Sequence, residues 1–234
     1  GNTYFKGGFL QRSNDIFLRI LKFSPRNKNA LKSLLLVNEK LKNFKKAKEI
    51  TQALEELNVD VSVEKVYFDT LIILNDSILS YEKRTELLFE IFKENKIIQR
   101  IFATFLIQSN REFFFSNIDM FDCEKLIDIL WYQKKEDIDF DKIKNNKFLN
   151  ELYSAKNYIN SVSNSSDFDL NILILINNHQ KDIKTNLTFE FICKSCKHSS
   201  PFYDARCPNC HSILSLEVKH HLTKAYELSN QSLQ

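Results

Sequence analysis

The first residues, GNTYFKGGFLQRSNDIFLRILKFSP (Gly1 to Pro25), set small and large side chains at intervals that suit packed helices. Gly1, Tyr4, Gly8, Leu10, Ser13, Phe17, Ile20 and Pro25 describe two antiparallel helices, with small residues where the helices cross and large ones filling between them. The same spacing returns downstream. Ala47 stands 34 residues after Ser13 at the crossing position, Phe44 precedes it as Leu10 precedes Ser13, and Leu54 matches Ile20. Lys42 takes the place of Gly8, and Thr51 that of Phe17.

A helix-turn-helix unit that recurs after 34 residues is the period of the tetratricopeptide repeat. The expected architecture is therefore mainly α: a tetratricopeptide-like helical solenoid over residues 1–186, a small four-cysteine β module over 187–216, and a final helix over 217–234 that docks on the solenoid. Gly1 falls in the middle of a repeat's first helix, so the helical domain is expected to be truncated at its N-terminus and to continue upstream repeats.

Composition agrees with long helices and short connections, since 234 residues contain only three prolines and three glycines. Thirty-three basic and 30 acidic residues are interspersed, for a formal net charge of +3. A nucleic-acid binder usually carries a larger and more segregated excess, so the surface reads as mixed-sign and solvated. No run of about 18 apolar residues is present, and none of these segments is expected to span a membrane.

Between Val61 and His179 the helical signal persists while the repeat signal fades. SVEKVYFDTLIIL, TELLFEIFKEN, IIQRIFATFLIQ, EKLIDILWYQKK and FLNELYSAKNYINSV place apolar residues three and four apart. Ser109 or Asn110, Asp122 and Asp167 stand where N-caps are expected, with breaks near 134–146 and at Ser161 to Ser166. Cys123 reads as a buried or half-buried helix residue. NLTFEFIC, from Asn186, alternates like a strand, SILSLEV (Ser212 to Val218) reads as its partner, and KHHLTKAYELSNQ resumes a helix carrying His220 and His221 as surface or interface residues.

Four of the five cysteines lie in FICKSCKHSSPFYDARCPNCHSI, Phe191 to Ile213. Cys193/Cys196 and Cys207/Cys210 are two C-x2-C pairs, and two such turns can close a tetrahedral four-sulfur site for one zinc or iron ion. Disulfides are the alternative; they suit secreted chains, whereas no signal-peptide pattern is seen here, the cysteine count is odd and the C-x2-C spacing recurs. A closed four-thiolate shell leaves no position for water or substrate, so zinc there would be structural, while iron could carry an electron. The residue after the second cysteine of such a knuckle often needs φ > 0, and here those residues are Lys197 and His211. His198 and His211 are read as bystanders, because four thiolates fill the shell.

A helical repeat array ending in such a module resembles the lipopolysaccharide assembly protein B family of Gram-negative bacteria. The resemblance rests on YFKGGFLQRSNDIFLRIL, on ALKSLLLVNEKLKNFKKAKEI and on FICKSCKHSSPFYDARCPNC, which looks like that family's rubredoxin-type knuckle module, with Phe191 ahead of Cys193 and Pro208 inside the second knuckle. About residues 1–70 and 187–216 are covered, and Lys197 replaces the family's glycine. The resemblance implies a bacterial inner-membrane protein held by an N-terminal anchor absent from this chain, with these residues soluble on the cytoplasmic face. It implies an adaptor, not an enzyme, that restrains lipid A synthesis by promoting proteolysis of the committed-step deacetylase, with a membrane-bound AAA+ zinc protease as partner and lipopolysaccharide as a possible ligand. The implied metal ligands are Cys193, Cys196, Cys207 and Cys210.

The residues themselves also favour a scaffold. No P-loop, dinucleotide fingerprint, nucleophile elbow or H-E-x-x-H helix occurs, and repeat arrays mainly bind other chains on a concave face. Asn29, Lys32, Leu36 and Glu39, three or four apart, are the candidate partner-binding residues. Two other readings stand beside this one. One is a metal or redox sensor on a helical scaffold. The other is a zinc-ribbon nucleic-acid binder, suggested by Lys194, Lys197, His198 and Arg206 with Phe202 and Tyr203, although the charge is thin for that role.

Overall fold

The computed structural model describes residues 1–179 and 185–224. It is mostly helical with one small antiparallel sheet, and it divides into two compact units, Gly1–Ile98 and the residues from Gln99 onward. The knuckle module therefore shares its unit with helices that start at Gln99, rather than standing apart beyond residue 186.

The first unit contains α1 (Asn2–Lys6), α2 (Leu10–Phe23), α3 (Lys28–Lys40), α4 (Phe44–Glu55), α5 (Ser62–Leu74) and α6 (Tyr81–Glu94), closed by a 3-10 turn at Lys96–Ile98. Each helix packs on the next in sequence. Phe17, Ala30, Leu34 and Val37 form the core between α2 and α3, with Phe5, Leu21, Leu41 and Ile50 against it. The crossing positions are as small as the spacing requires: Ser13 and Ala47 are both 0% exposed. Thr51, in the place of Phe17, is also fully buried and donates its hydroxyl to the Lys48 carbonyl at 2.6 Å, so it is satisfied by its own helix.

Backbone geometry recurs with the side chains. Gly8 and Lys42, 34 positions apart (8 + 34 = 42), both turn the chain through the left-handed region, at φ +78° and +59°. Glycine adopts that conformation without strain and lysine does not. Asn27 and Ser80 cap α3 and α6 by accepting hydrogen bonds from the N–H groups of Ala30 at 3.0 Å and Lys83 at 3.2 Å.

The second unit contains α7 (Gln99–Ser109), α8 (Arg111–Ser116), α9 (Ile127–Trp131), α10 (Phe140–Ile143), α11 (Lys147–Ala155) and α12 (Phe168–His179), followed by β1 (Thr185–Cys193), β2 (Ser199–Ser200) and β3 (Leu216–Lys224). Asn110 caps α8 and Asp167 caps α12, accepting from Phe113 at 3.1 Å and Leu170 at 3.0 Å. Asp122 precedes a 3-10 turn at Cys123–Leu126 and pairs with Lys125 instead of capping backbone. The core gathers Phe102, Leu106, Phe114, Phe121, Leu130 and Tyr153. Cys123 is buried there, and burial pushes its thiol up to about 12, so it stays protonated and inert.

The sheet has the order β2-β1-β3, both pairings antiparallel, with Cys193 opposite Leu216 and Thr185 opposite Lys224. Here the expected final helix fails over residues 217–224, all but the first of β3's nine residues. Leu216, Val218, His220 and Leu222 alternate at a period of two, and β1, nine residues long, needs a partner of its own length. The remainder of the expected helix, from residue 225, lies outside the described residues. Among the described residues no helix is long and apolar enough to cross a membrane.

The recurrent turn and crossing give opposite expectations. Lys42→Gly relieves a left-handed lysine, about 1 kcal/mol before the entropy that glycine adds to the unfolded chain. Ala47→Leu overpacks a sealed crossing at a cost of about 1–3 kcal/mol. Urea unfolding of the two variants should shift in opposite directions.

Candidate metal centre

β1 delivers Cys193 at its last position, and the chain then turns back on itself. The Cys193 N–H donates to the His198 carbonyl at 2.9 Å, and the Lys197 N–H donates to the Cys193 carbonyl at 2.9 Å. Fourteen residues on (193 + 14 = 207), the second knuckle repeats these bonds: the Cys207 N–H donates to the Ser212 carbonyl at 2.9 Å and the His211 N–H to the Cys207 carbonyl at 3.0 Å. Lys197 and His211 close the two turns at φ +61° and +62°, the left-handed conformation the spacing demands, here adopted without glycine.

The two knuckles face one another. Cys193 Sγ lies 3.6 Å from Cys210 Sγ, and Cys196 Sγ lies 3.7 Å from Cys207 Sγ; all four sulfurs fall within 4.8 Å of each other. A tetrahedron with metal–sulfur bonds of about 2.3 Å has edges of about 3.8 Å, whereas a disulfide brings its sulfurs to about 2.05 Å. The four sulfurs thus lie close enough to hold one metal ion, at separations that suit a shared ion and not a bond between them. No histidine nitrogen joins the cluster among the described residues; His198 and His211 are exposed and act through their carbonyls.

The surroundings favour thiolate at Cys193 and Cys196 and oppose it at Cys207. Burial opposes ionisation of Cys193, but hydrogen bonds from the Ser215 hydroxyl and from the N–H groups of Cys196 and Ser195 outweigh it and bring the thiol to about 6. The side-chain amide of Asn209, 3.5 Å away, and the His198 N–H lower Cys196. Burial pushes Cys207 up to about 11 in spite of the N–H groups of Cys210 and Asn209, a cost that a bound cation would remove.

Docking of the module rests on a residue that spacing does not reveal. Arg100, on α7, grips both carboxylate oxygens of Asp128, and its guanidinium lies over the rings of Tyr203 at 4.1 Å and Phe191 at 5.2 Å. The pair is nearly sealed, with side chains 13% and 10% exposed. Trp131 donates its indole N–H to Asn186 at 2.9 Å, and His220 sits 3.1 Å from the Asp167 carboxylate, tying β3 to the start of α12. Arg206, counted with the basic residues of the knuckles, is buried and donates to the His211 carbonyl at 2.5 Å, so it is not presented to a partner. Lys194 pairs with Glu217 at 2.8 Å. A signal for Arg100 did exist in the aromatic residues flanking both knuckles, but not in any spacing from them.

Asn29, Lys32, Leu36 and Glu39 all lie on α3, the first two exposed and the last two half-buried. Glu39 accepts a hydrogen bond from the Tyr67 hydroxyl at 3.2 Å, an intramolecular use of that carboxylate. Neither a family model nor a curated protein matches this chain.

Removing Arg100 leaves the Asp128 carboxylate buried without its partner and bares two rings. Arg100→Ala should cost about 3–5 kcal/mol. Arg100→Lys should recover only part of this, because an ammonium neither forks onto a carboxylate nor stacks. Denaturant unfolding followed by the fluorescence of Trp131 reports it.

Proposed function

We propose that the chain is a helical-repeat adaptor whose four-thiolate metal centre is a structural clamp. The observation that carries this reading is the cluster itself: the sulfurs of Cys193, Cys196, Cys207 and Cys210 all lie within 4.8 Å of one another, close enough to share one ion, and two of the four residues are buried. A metal held so has no coordination position left for a substrate, and its work is to fix the fold around it. The recurring crossing and left-handed turn of the first unit support a tetratricopeptide-like array, a class of scaffold that binds other chains.

The resemblance of the knuckle and repeat segments extends the proposal to a regulator of lipid A synthesis. In that role the chain is anchored at the cytoplasmic face of a bacterial inner membrane and presents the committed-step deacetylase to a membrane-bound AAA+ protease. Zinc is the ion that suits a clamp of this kind.

Affinity capture of the full-length protein from its own membranes tests this, beside the double variant Cys193→Ser, Cys196→Ser. Recovery of the protease and the deacetylase with the wild type, and of neither with the variant, is the expected result. Recovery of neither by well-folded, metal-loaded wild type would overturn the regulatory role.

A further inference from the structure

The four sulfurs differ in access to solvent. Cys193 and Cys207 are each 0% exposed, Cys196 is half-buried, and Cys210 is exposed. Polar neighbours do not separate them, since the Ser215 hydroxyl lies 3.3 Å from Cys193 Sγ, the Asn209 amide 3.5 Å from Cys196 Sγ and the Ser212 hydroxyl 3.3 Å from Cys210 Sγ. An oxidant arriving from solvent therefore meets Cys210 first, since it is the exposed member of the cluster and susceptibility to oxidation rises with exposure. The sulfur across the knuckle interface from it is Cys193, at 3.6 Å.

We propose that Cys210 is an oxidative modification site for hydrogen peroxide, and that its oxidation closes a Cys193–Cys210 disulfide and expels the metal. The proposal rests on the metal-clamp reading. Cys210 thiolate attacks one oxygen of the peroxide: the S–O bond forms, the O–O bond breaks, and the leaving hydroxide is protonated to water. Cys193 thiolate then attacks the sulfenic sulfur: the S–S bond forms, the S–O bond breaks, and a second hydroxide leaves as water. The two sulfurs give up two electrons and the peroxide accepts them. Cys196 and Cys207 remain as two ligands, too few for a tetrahedral site. The disulfide joins the two knuckles to each other, so thiol reduction and fresh metal restore the clamp.

Zinc-loaded full-length chain, treated with up to one equivalent of hydrogen peroxide in the presence of a chromogenic zinc chelator, tests this. Trypsin cuts after Lys194, Lys197 and Arg206, which puts Cys193 and Cys196 on separate peptides and leaves Cys207 with Cys210 on a third. After alkylation of free thiols, fragment mass spectra should show the Cys193 peptide joined to Cys210, with Cys196 and Cys207 alkylated and one zinc released per disulfide. Cys210→Ser, if it still holds zinc, should release it at least tenfold more slowly. A first disulfide within either knuckle, a first disulfide at Cys196, or full zinc retention by loaded protein would overturn the proposal and leave the clamp intact. A folded chain that never takes up zinc would overturn both.

Discussion

Four sulfurs brought within 4.8 Å of one another are the constraint on which the C-terminal part of this protein depends. As thiolates they repel; as thiols two of them are buried polar groups with little reason to meet. A divalent cation turns the repulsion into bonding. The module has few other resources, since Cys193 and Cys207 are themselves two of the four buried residues of its core, beside Phe191 and Leu216. Where half of such a cluster consists of cysteines that could hold an ion, the free energy of binding that ion would become free energy of folding.

From that clamp outward the second unit is ordered by a short chain of contacts. β1 ends on Cys193, and two residues earlier Phe191 packs against Tyr203 with ring centroids 5.6 Å apart. Both rings lie under Arg100, whose charge is balanced by Asp128. Helix, carboxylate, guanidinium, ring and sulfur are thus linked, so that loss of a bound ion would be felt at α7, some ninety residues before the four clustered cysteines. An ion held by the four sulfurs would brace the sheet against the helices, which is the structural role proposed above.

The parts of this arrangement written in local spacing were legible beforehand. Two C-x2-C turns identify the four cysteines that meet because the turn itself aims the sulfurs. Asn110 and Asp167 announced helix starts because capping is a contact three residues long. β3 was harder: Lys219 to Lys224 contain two histidines and two lysines, which dilute the alternation of Val218, His220 and Leu222, and their pairing is fixed by a strand some thirty residues away. Arg100 could not be picked out from spacing for the same reason, since its partners Asp128, Phe191 and Tyr203 are brought together only by the tertiary fold. Lys197 and His211 show a third case, in which hydrogen bonding on both sides of a turn holds a left-handed backbone without glycine.

The most direct test of the clamp is the ligand shell itself. Metal analysis of the purified chain with X-ray absorption at the metal edge should give one zinc or iron ion per chain, surrounded by four sulfurs at about 2.3 Å and no lighter scatterer. A nitrogen or oxygen in the shell, or disulfides in a folded chain without metal, would contradict a closed four-thiolate centre.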